Sequence, residues 1–510
     1  MNSIINEATK FYLSMRMRRI EWFMQHPDEA QARIFQKLLA RGRKTEFGQK
    51  HGLDGIHSQA DFAEKIPIQD YEGFKIDIAR MMRGQRDVLV PGEVHWFAKS
   101  SGTTSDKSKF IPTPPLNIFR SHIRASWDSV ALLYDMRPDM RIFQKRSLLL
   151  PGSFTTLPEY PRTKFGDVSA VLVNYMPKIG QMHSAVPTEI AQLANFEEKI
   201  DRTAEVCSKQ DDIVMFGGVP TWLIVLFRKI LEMTGKKNLL EVWPDLQAYM
   251  HGGVGFDPYR QTFRDLIPSD QFLYQEIYNA SEGYFGATAE RGDSSMLLFL
   301  DHGIYYEFIP MSDWESDSPR AVPVTEVKIG ENYAIVITST NGLTRYMPGD
   351  TVMFTSSHPY KFRITGRTRQ FINAFGEEVM IADTDKAVAQ TCAELGVAVA
   401  EYTVAPFYFS GNKGKGGHQW VVEFEKSPAE IGRFTALLDE NLQKINSDYE
   451  AKRFKNLALD PIRLTTVPRG TFLEWMKSRG KYGNQNKVPR LANHRQFIEH
   501  LLEFHAKTGA

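Results

Sequence analysis

Cysteine is almost missing from this chain: Cys207 and Cys392 are the only two in 510 residues, and they lie far apart. That excludes a disulfide framework and a multi-cysteine metal site, and it suits a reducing compartment. Long apolar runs are missing as well. The best of them, such as 222–227, fall far short of the roughly 20 residues that a spanning helix needs. Asn6, Glu7 and Lys10 interrupt what would be the core of a secretory signal. The expectation is therefore a cytoplasmic, soluble protein without a membrane span. Neither sign of charge dominates, because 62 Lys and Arg stand against 61 Asp and Glu, a net charge of +1. Nothing global points to nucleic acid or an anionic membrane. Arg16, Arg18 and Arg19 form a small basic cluster, read as a solvated helix face. The usual strings of P-loop NTPases, serine hydrolases, zinc proteases and dinucleotide folds do not occur. His57 and Asp61 have the His-x-x-x-Asp spacing of some acyltransferases, which chance explains better.

What remains is an ordinary globular composition, 42% hydrophobic and 24% charged, in a chain too long for one core. Residues 1–50 read as helices, with Ile34, Leu38 and Leu39 at helical spacing. Short apolar runs at 147–150, 213–216, 246–250 and 272–278 alternate with amphipathic stretches. The first three run into Pro151-Gly152, Gly217-Gly218 and Gly252-Gly253. A helix is predicted over 221–233, capped by Thr221 and stopped by Gly235. Such alternation predicts a large α/β domain that places ligands at its glycine-rich strand ends. The pattern turns β-rich from 303 to 338. After 366 it changes to a smaller α+β domain, with strands at 397–408 and 420–424, a helix over 428–445, and a flexible basic loop at 413–417. The boundary is placed at 367–370, giving domains 1–366 and 367–510.

Three segments carry chemistry. Ser100, Ser101, Gly102, Thr103, Thr104, Ser105, Asp106, Lys107, Ser108 and Lys109 combine small hydroxyl residues, a glycine and lysines. Backbone N–H groups there can approach an anion closely, which suits nucleotide phosphates. A polar surface turn is the alternative. Tyr278, Asn279, Ala280, Ser281 and Glu282 follow an apolar strand. Tyr278 can stack on a purine and Glu282 can hold a magnesium ion; an ordinary turn with an exposed Glu is the alternative. Arg345, Tyr346, Met347, Pro348, Gly349 and Asp350 contain a Pro-Gly turn that presents a carboxylate to a ribose. Further on, Arg367 can reach the same ribose or a phosphate.

In this order the segments resemble the adenylate-forming superfamily of acyl and aryl ligases, whose phosphate loop, Tyr-x-x-Thr-Glu, Tyr-x-x-Gly-Asp and Gly-Arg segments they match. Within it, Thr45-Glu46-Phe47-Gly48, Ile66-Pro67-Ile68-Gln69-Asp70-Tyr71-Glu72 and the closing Asn484-Gln485-Asn486-Lys487-Val488-Pro489-Arg490 resemble the Gretchen Hagen family. Those are acyl-acid amido synthetases that conjugate auxin and jasmonate to amino acids. The resemblance runs from about residue 30 to 492. It implies a mobile C-terminal domain and ATP with Mg²⁺. It also implies a small carboxylic acid and an amine, such as an amino acid, as reaction partners, with the chain acting as a monomer. Ser100, Ser101, Gly102, Thr103, Thr104 and Lys109 would surround phosphates. Gly253, Tyr278 and Ser281 would line the nucleotide and acyl-phosphate region, and Glu282 would bind magnesium. Asp350 and Arg367 would hold the ribose. The segments 217–222 and 250–254 are read as facing the acyl pocket, with Trp222 and Val254 on the acid; Trp222 and Phe256 fit the core equally well. Lys487 would be the mobile catalytic lysine, with Lys481 as fallback, and Arg369 would be the hinge. Two positions depart from the pattern. Asp106 stands where the loop usually carries glycine, and Arg369 where the superfamily hinge is Asp or Lys. The acceptor stays open between an amine and coenzyme A, and an inactive nucleotide-binding protein is the third reading.

Overall fold

The structure is a computed structural model and describes residues 2–508 except 101–108, 194, 315, 317, 318, 369, 370, 373–376, 378, 410, 411, 454–458, 482–486 and 493. The chain divides into two compact units. The first holds most of the chain up to Arg363, and the second holds Val254–Leu266 together with the residues from Ile364 onward. Nothing in the sequence texture hints that Val254–Leu266 belongs with the later residues. The segment is held there by its aromatic groups: Phe256, Tyr259 and Phe263 are buried.

An eleven-stranded sheet organises the first unit. From one edge its order is Val322–Pro323, Ile304–Pro310, Asn332–Ser339, Asp350–Ser357, Tyr360–Arg367, Met296–Leu298, Gly283–Thr288, Leu273–Ala280, Ala248–His251, Ile213–Gly218 and Arg146–Leu149. The last four strands run parallel, and Leu273–Ala280 turns back antiparallel onto Gly283–Thr288. Short runs rich in buried apolar residues make these parallel strands, as expected where helices cover both faces. The α/β reading of the N-terminal region therefore holds, including the glycines that close three of the strands. Gly252 shows why: a Cβ there would lie 2.3 Å from the Ile277 carbonyl oxygen on the neighbouring strand.

Several local expectations need correction. The predicted helix runs Pro220–Thr234, and Val219, not Thr221, occupies its cap position. Proline opens the helix because its φ is already helical and it has no N–H to orphan. Gly235, at φ 67°, stops it as expected. His57 and Asp61 mark a helix start: Ser58 caps Gln59–Lys65, and the Asp61 carboxylate accepts from the His57 and Ser58 amides. The arginine cluster is a solvated face only in part, because Arg18 and Arg19 are exposed and Arg16 is not. Arg16 pairs with the buried Asp128, and Arg19 and Arg124 share Asp301. These pairs tie the first helix, Asn2–Gln25, to Ile123–Met136 and to the end of strand Met296–Leu298.

The second unit has a three-stranded sheet, ordered Ala398–Phe409, Asn412–Lys426, Arg463–Val467, with Ile381–Leu395 and Ile431–Ile445 among its helices. Tyr402, Trp420, Phe434, Leu438 and Leu491 share its core. This is the expected α+β texture. Residues 413–417, expected to be a loop, lie within strand Asn412–Lys426, where Gly416 and Gly417 pair with Tyr408 and Phe407. Their glycines signal close approach and not a loop: a Cβ on Gly417 would lie 2.8 Å from the Phe407 ring.

Candidate active site

A separate four-stranded sheet, ordered Lys109–Pro112, Trp96–Ser100, Lys164–Gly166, Phe154–Thr155, carries both ends of the candidate phosphate loop. Ser100 pairs directly with Lys109. Ser101, Gly102, Thr103 and Thr104 lie outside the described residues. Just past the loop, the Lys109 ammonium lies 5.7 Å from the centroid of the Tyr71 ring, and the Phe110 amide donates to the Tyr71 hydroxyl at 3.0 Å. Tyr71 opens the helix Tyr71–Met82, capped by Asp70, whose carboxylate accepts from the Glu72 amide. Two residues earlier, Gln69 exchanges backbone bonds with the third segment: its amide donates to Arg345 O and its carbonyl accepts from the Met347 amide. The string 66–72 is thus a clamp between the loop's exit and residues 345–347. Sequence reasoning noted the string only as a family mark and missed this role.

The second and third segments meet. Ser281 and Glu282 form the two-residue hairpin turn between strands Leu273–Ala280 and Gly283–Thr288, and both are buried. The Tyr278 hydroxyl donates to Asp350 Oδ2 at 2.5 Å. Its ring packs against Phe285 and Phe362, with centroids 4.6 and 6.1 Å away. Asp350 opens strand Asp350–Ser357 directly after Gly349, whose φ of 92° only glycine adopts freely. Tyr346, fully buried, donates from its hydroxyl to Glu282 Oε1 at 3.4 Å, and Asn341 Nδ2 donates to the Glu282 carbonyl at 3.0 Å. An aromatic column runs back from Tyr346 to Phe74 and Phe47. Phe47 belongs to the string 45–48, where Thr45 caps the helix and Gly48 leaves no room for a Cβ beside the Gly42 carbonyl.

Arg345 is structural. It sits at φ 44°, pairs bidentately with the buried Glu307 at 2.9 and 3.0 Å, and donates to the Ala63 and Ile66 carbonyls at 2.6 Å. His122 was not foreseen, and no motif marks it. It lies beneath the second segment, where Nδ1 donates to Asn279 Oδ1 at 2.9 Å, and burial pushes its pKa down to about 4. It is therefore a neutral prop at pH 7. Lys199 was also missed. Buried, it donates to the Pro151 and Gly152 carbonyls and to Ser153 Oγ at 2.9–3.2 Å, fixing the end of the outermost parallel strand.

Gly253 follows strand Ala248–His251, next to the strand that leads into Tyr278. Trp222 is in the first turn of Pro220–Thr234, just beyond Gly218. Val254, Arg367 and Lys487 belong to the second unit, and Arg369 lies outside the described residues.

The donor set suits ATP with magnesium. Among the described residues no three His, Cys, Asp or Glu side chains gather as a metal cage. Magnesium in nucleotide sites takes one or two protein carboxylates and completes its shell with phosphate oxygens and water. A single buried carboxylate such as Glu282 is enough for that.

The sheet order, with a hairpin-turn glutamate bonded by Tyr346 and an aspartate bonded by Tyr278, is that of the adenylate-forming ligase fold. A solved 2-hydroxyisobutyryl-CoA ligase shares it at TM-score 0.58 and 14% identity, over 94% of this chain and 91% of that one. The GH3.15 acyl acid amido synthetase is more alike, at TM-score 0.78 and 17% identity over 97% and 96%. The chain belongs to the GH3 family: the N-terminal domain of that family matches residues 16–201 and 140–272, the central domain 297–367 and the C-terminal domain 382–496. Among curated relatives, indole-3-acetic acid-amido synthetase GH3.4 of Arabidopsis thaliana is 24% identical over 93% of this chain and 91% of its own length. GH3.8 of Oryza sativa subsp. indica, of the same name, is 24% identical over 95% and 92%. The 4-substituted benzoates-glutamate ligase GH3.12 of Arabidopsis thaliana is 21% identical over 90% and 92%.

Proposed function

We propose that this chain is an ATP-dependent, amide-bond-forming ligase. It activates a carboxylic acid as an acyl-adenylate and passes the acyl group to an amine such as an amino acid. The observation that carries the reading is the junction of three sequence-distant segments in one unit. Tyr278 bonds Asp350, Tyr346 bonds Glu282, and the 66–72 clamp joins the exit of the loop at Lys109 to residues 345–347.

A carboxylate is a poor electrophile because its oxygen leaves badly. Attack of that oxygen on the α-phosphorus of ATP expels pyrophosphate and makes AMP the leaving group. The amine then attacks the acyl carbon, AMP departs, and the amine's proton passes to solvent or to an acceptor. The chain's part is positioning and charge. Asp350, aimed by the Tyr278 hydroxyl, takes the ribose hydroxyls, with Arg367 assisting. Ser100 and the loop that follows offer donors to phosphates, with Lys109 at its exit. Lys487 supplies positive charge to the α-phosphate. Glu282 would hold magnesium, which would neutralise phosphate charge there. In this reading Gly253 and Ser281 serve the acyl-phosphate region, and Trp222 and Val254 serve the acid. Names of relatives support an aromatic or indolic acid and an amino acid acceptor. Both cysteines are free and buried, which suits a reducing compartment such as the cytoplasm.

The test is exchange of labelled pyrophosphate into ATP with Mg²⁺ and a panel of carboxylic acids, with no amine present, followed by amino acids and mass spectrometry. Exchange followed by amide product is the expected result. ADP in place of AMP, or a thioester formed only with coenzyme A, overturns the reading.

A further inference from the structure

We infer that Arg490 is a positioning residue for Lys487, locking the closing string to the second unit's sheet and to the segment that follows Gly253. The inference rests on the reading of Lys487 as the lysine of acid activation. Two residues separate the two. From Pro489 onward the string lies along strand Ala398–Phe409 like a further short strand. The Thr403 hydroxyl donates to Pro489 O at 2.6 Å, the Val404 amide to Arg490 O at 2.7 Å, and the Ala492 amide to Val404 O at 3.2 Å. Leu491, beside it, is in the core.

The backbone bonds alone would hold the string, yet the Arg490 side chain is turned inward and 7% exposed. Its Nη1 donates to Asp385 Oδ1 at 2.5 Å, on helix Ile381–Leu395. Its Nε donates to Glu401 Oε1 at 3.2 Å. Its Nη2 donates to the Tyr259 hydroxyl at 2.5 Å, and the guanidinium carbon lies 5.0 Å from the Tyr402 ring centroid. Tyr402 also donates to Asp385. Gly255 completes the fit: a Cβ there would stand 2.2 Å from Asp385 Oδ2.

Burying such a charge cluster is a poor route to stability, because well-packed apolar groups would serve as well or better. Its distinctive property is geometric. A guanidinium fork has fixed donor directions, so a helix, a strand and the Val254–Leu266 segment all refer their positions to one residue. Val254–Leu266 is also the chain that continues directly from Gly253 at the end of a parallel strand. Arg490 therefore sets, from one point, the base of Lys487 and the position of the Val254–Leu266 segment.

The experiment uses the full chain and whichever acid supports pyrophosphate exchange. Exchange and single-turnover aminolysis of supplied acyl-adenylate are measured for Arg490→Met, Arg490→Lys, Tyr259→Phe, Lys487→Ala and the Lys487→Ala/Arg490→Met double variant. Misplacing a reacting group by about 1 Å costs ~10²-fold, so Arg490→Met should slow exchange ~10–10²-fold and leave aminolysis within a few-fold. Arg490→Lys should stay slow, because the fork is lost with the charge kept. The double variant should be no slower than Lys487→Ala, since residues acting as one unit are not additive. Tyr259→Phe, which leaves no charge unpaired, should shift exchange the same way by less, and it decides the matter where Arg490→Met does not fold. Multiplying losses, or equal loss in both steps, overturns the inference while leaving Lys487 in place. Wild-type exchange by Lys487→Ala overturns the lysine reading and the inference together.

Discussion

Tyr278 carries a motif position whose sequence reading was stacking on a purine. The structure gives it a further function, because its hydroxyl meets Asp350 at 2.5 Å while Phe285 and Phe362 fix the ring. A hydrogen bond to a charged acceptor contributes about 1.5–3 kcal/mol. Tyr278→Phe keeps the ring and removes only the donor, so the Asp350 carboxylate should lose orientation without leaving a cavity. The expected outcome is a rise of about tenfold or more in KM for ATP, with the unfolding midpoint nearly unchanged. Exchange kinetics at varied ATP check it, and an unchanged KM would mean that other contacts aim Asp350. Replacing Asp350 itself by Ala should be more severe, because a preorganised charge contact is worth ~10²–10³ in rate.

Elements decide what brings these residues together, and Arg345 shows how. Its fork holds Glu307 on strand Ile304–Pro310 and the carbonyls of Ala63 and Ile66 just ahead of the 66–72 clamp. Arg345→Met should destabilise the first unit by about 3–5 kcal/mol, because Glu307 would remain as an uncompensated buried charge. The Arg345→Met/Glu307→Met pair should recover most of that, though the two carbonyls stay orphaned. Urea titration of the three proteins measures it, and a double variant no better than the single would place the effect in the carbonyl bonds. This contact also marks the limit of sequence reading. Strand ends at 150, 216 and 250 were legible because apolar runs met glycines, and so was the order of the three segments. The clamp was not, because its bonds are backbone to backbone between residues some 280 apart. Likewise Arg16 looked solvated, since its partner Asp128 lies over 100 residues away. Residues 413–417 looked like a loop because glycine serves tight strand packing and turns alike.

At the scale of the whole molecule, two reactions share one set of residues. Adenylation needs positive charge at the α-phosphate, and acyl transfer needs room for an amine at the acyl carbon. Lys487 lies about 120 residues beyond Arg367 in the second unit, whereas Glu282 and Asp350 lie in the first. We propose that the second unit changes its placement between the two steps, with rotation concentrated near Arg369. Hinges are a few residues that absorb a change in backbone angles, and closure of this kind is a common way to complete one site and clear it for another. Proline fixes φ near −65° and removes an amide. Arg369→Pro should therefore restrict the change without touching any group assigned to the nucleotide. The expected outcome is that Arg369→Pro slows aminolysis of supplied adenylate at least as much as it slows pyrophosphate exchange. Lys487→Ala should show the opposite bias. Arg369→Ala is the control, since it removes the side chain and leaves φ free, and both steps should stay near wild type. If Arg369→Ala reproduces the proline variant, the guanidinium and not backbone rotation matters at this position. If Arg369→Pro leaves both steps unchanged, the rotation lies elsewhere in the chain.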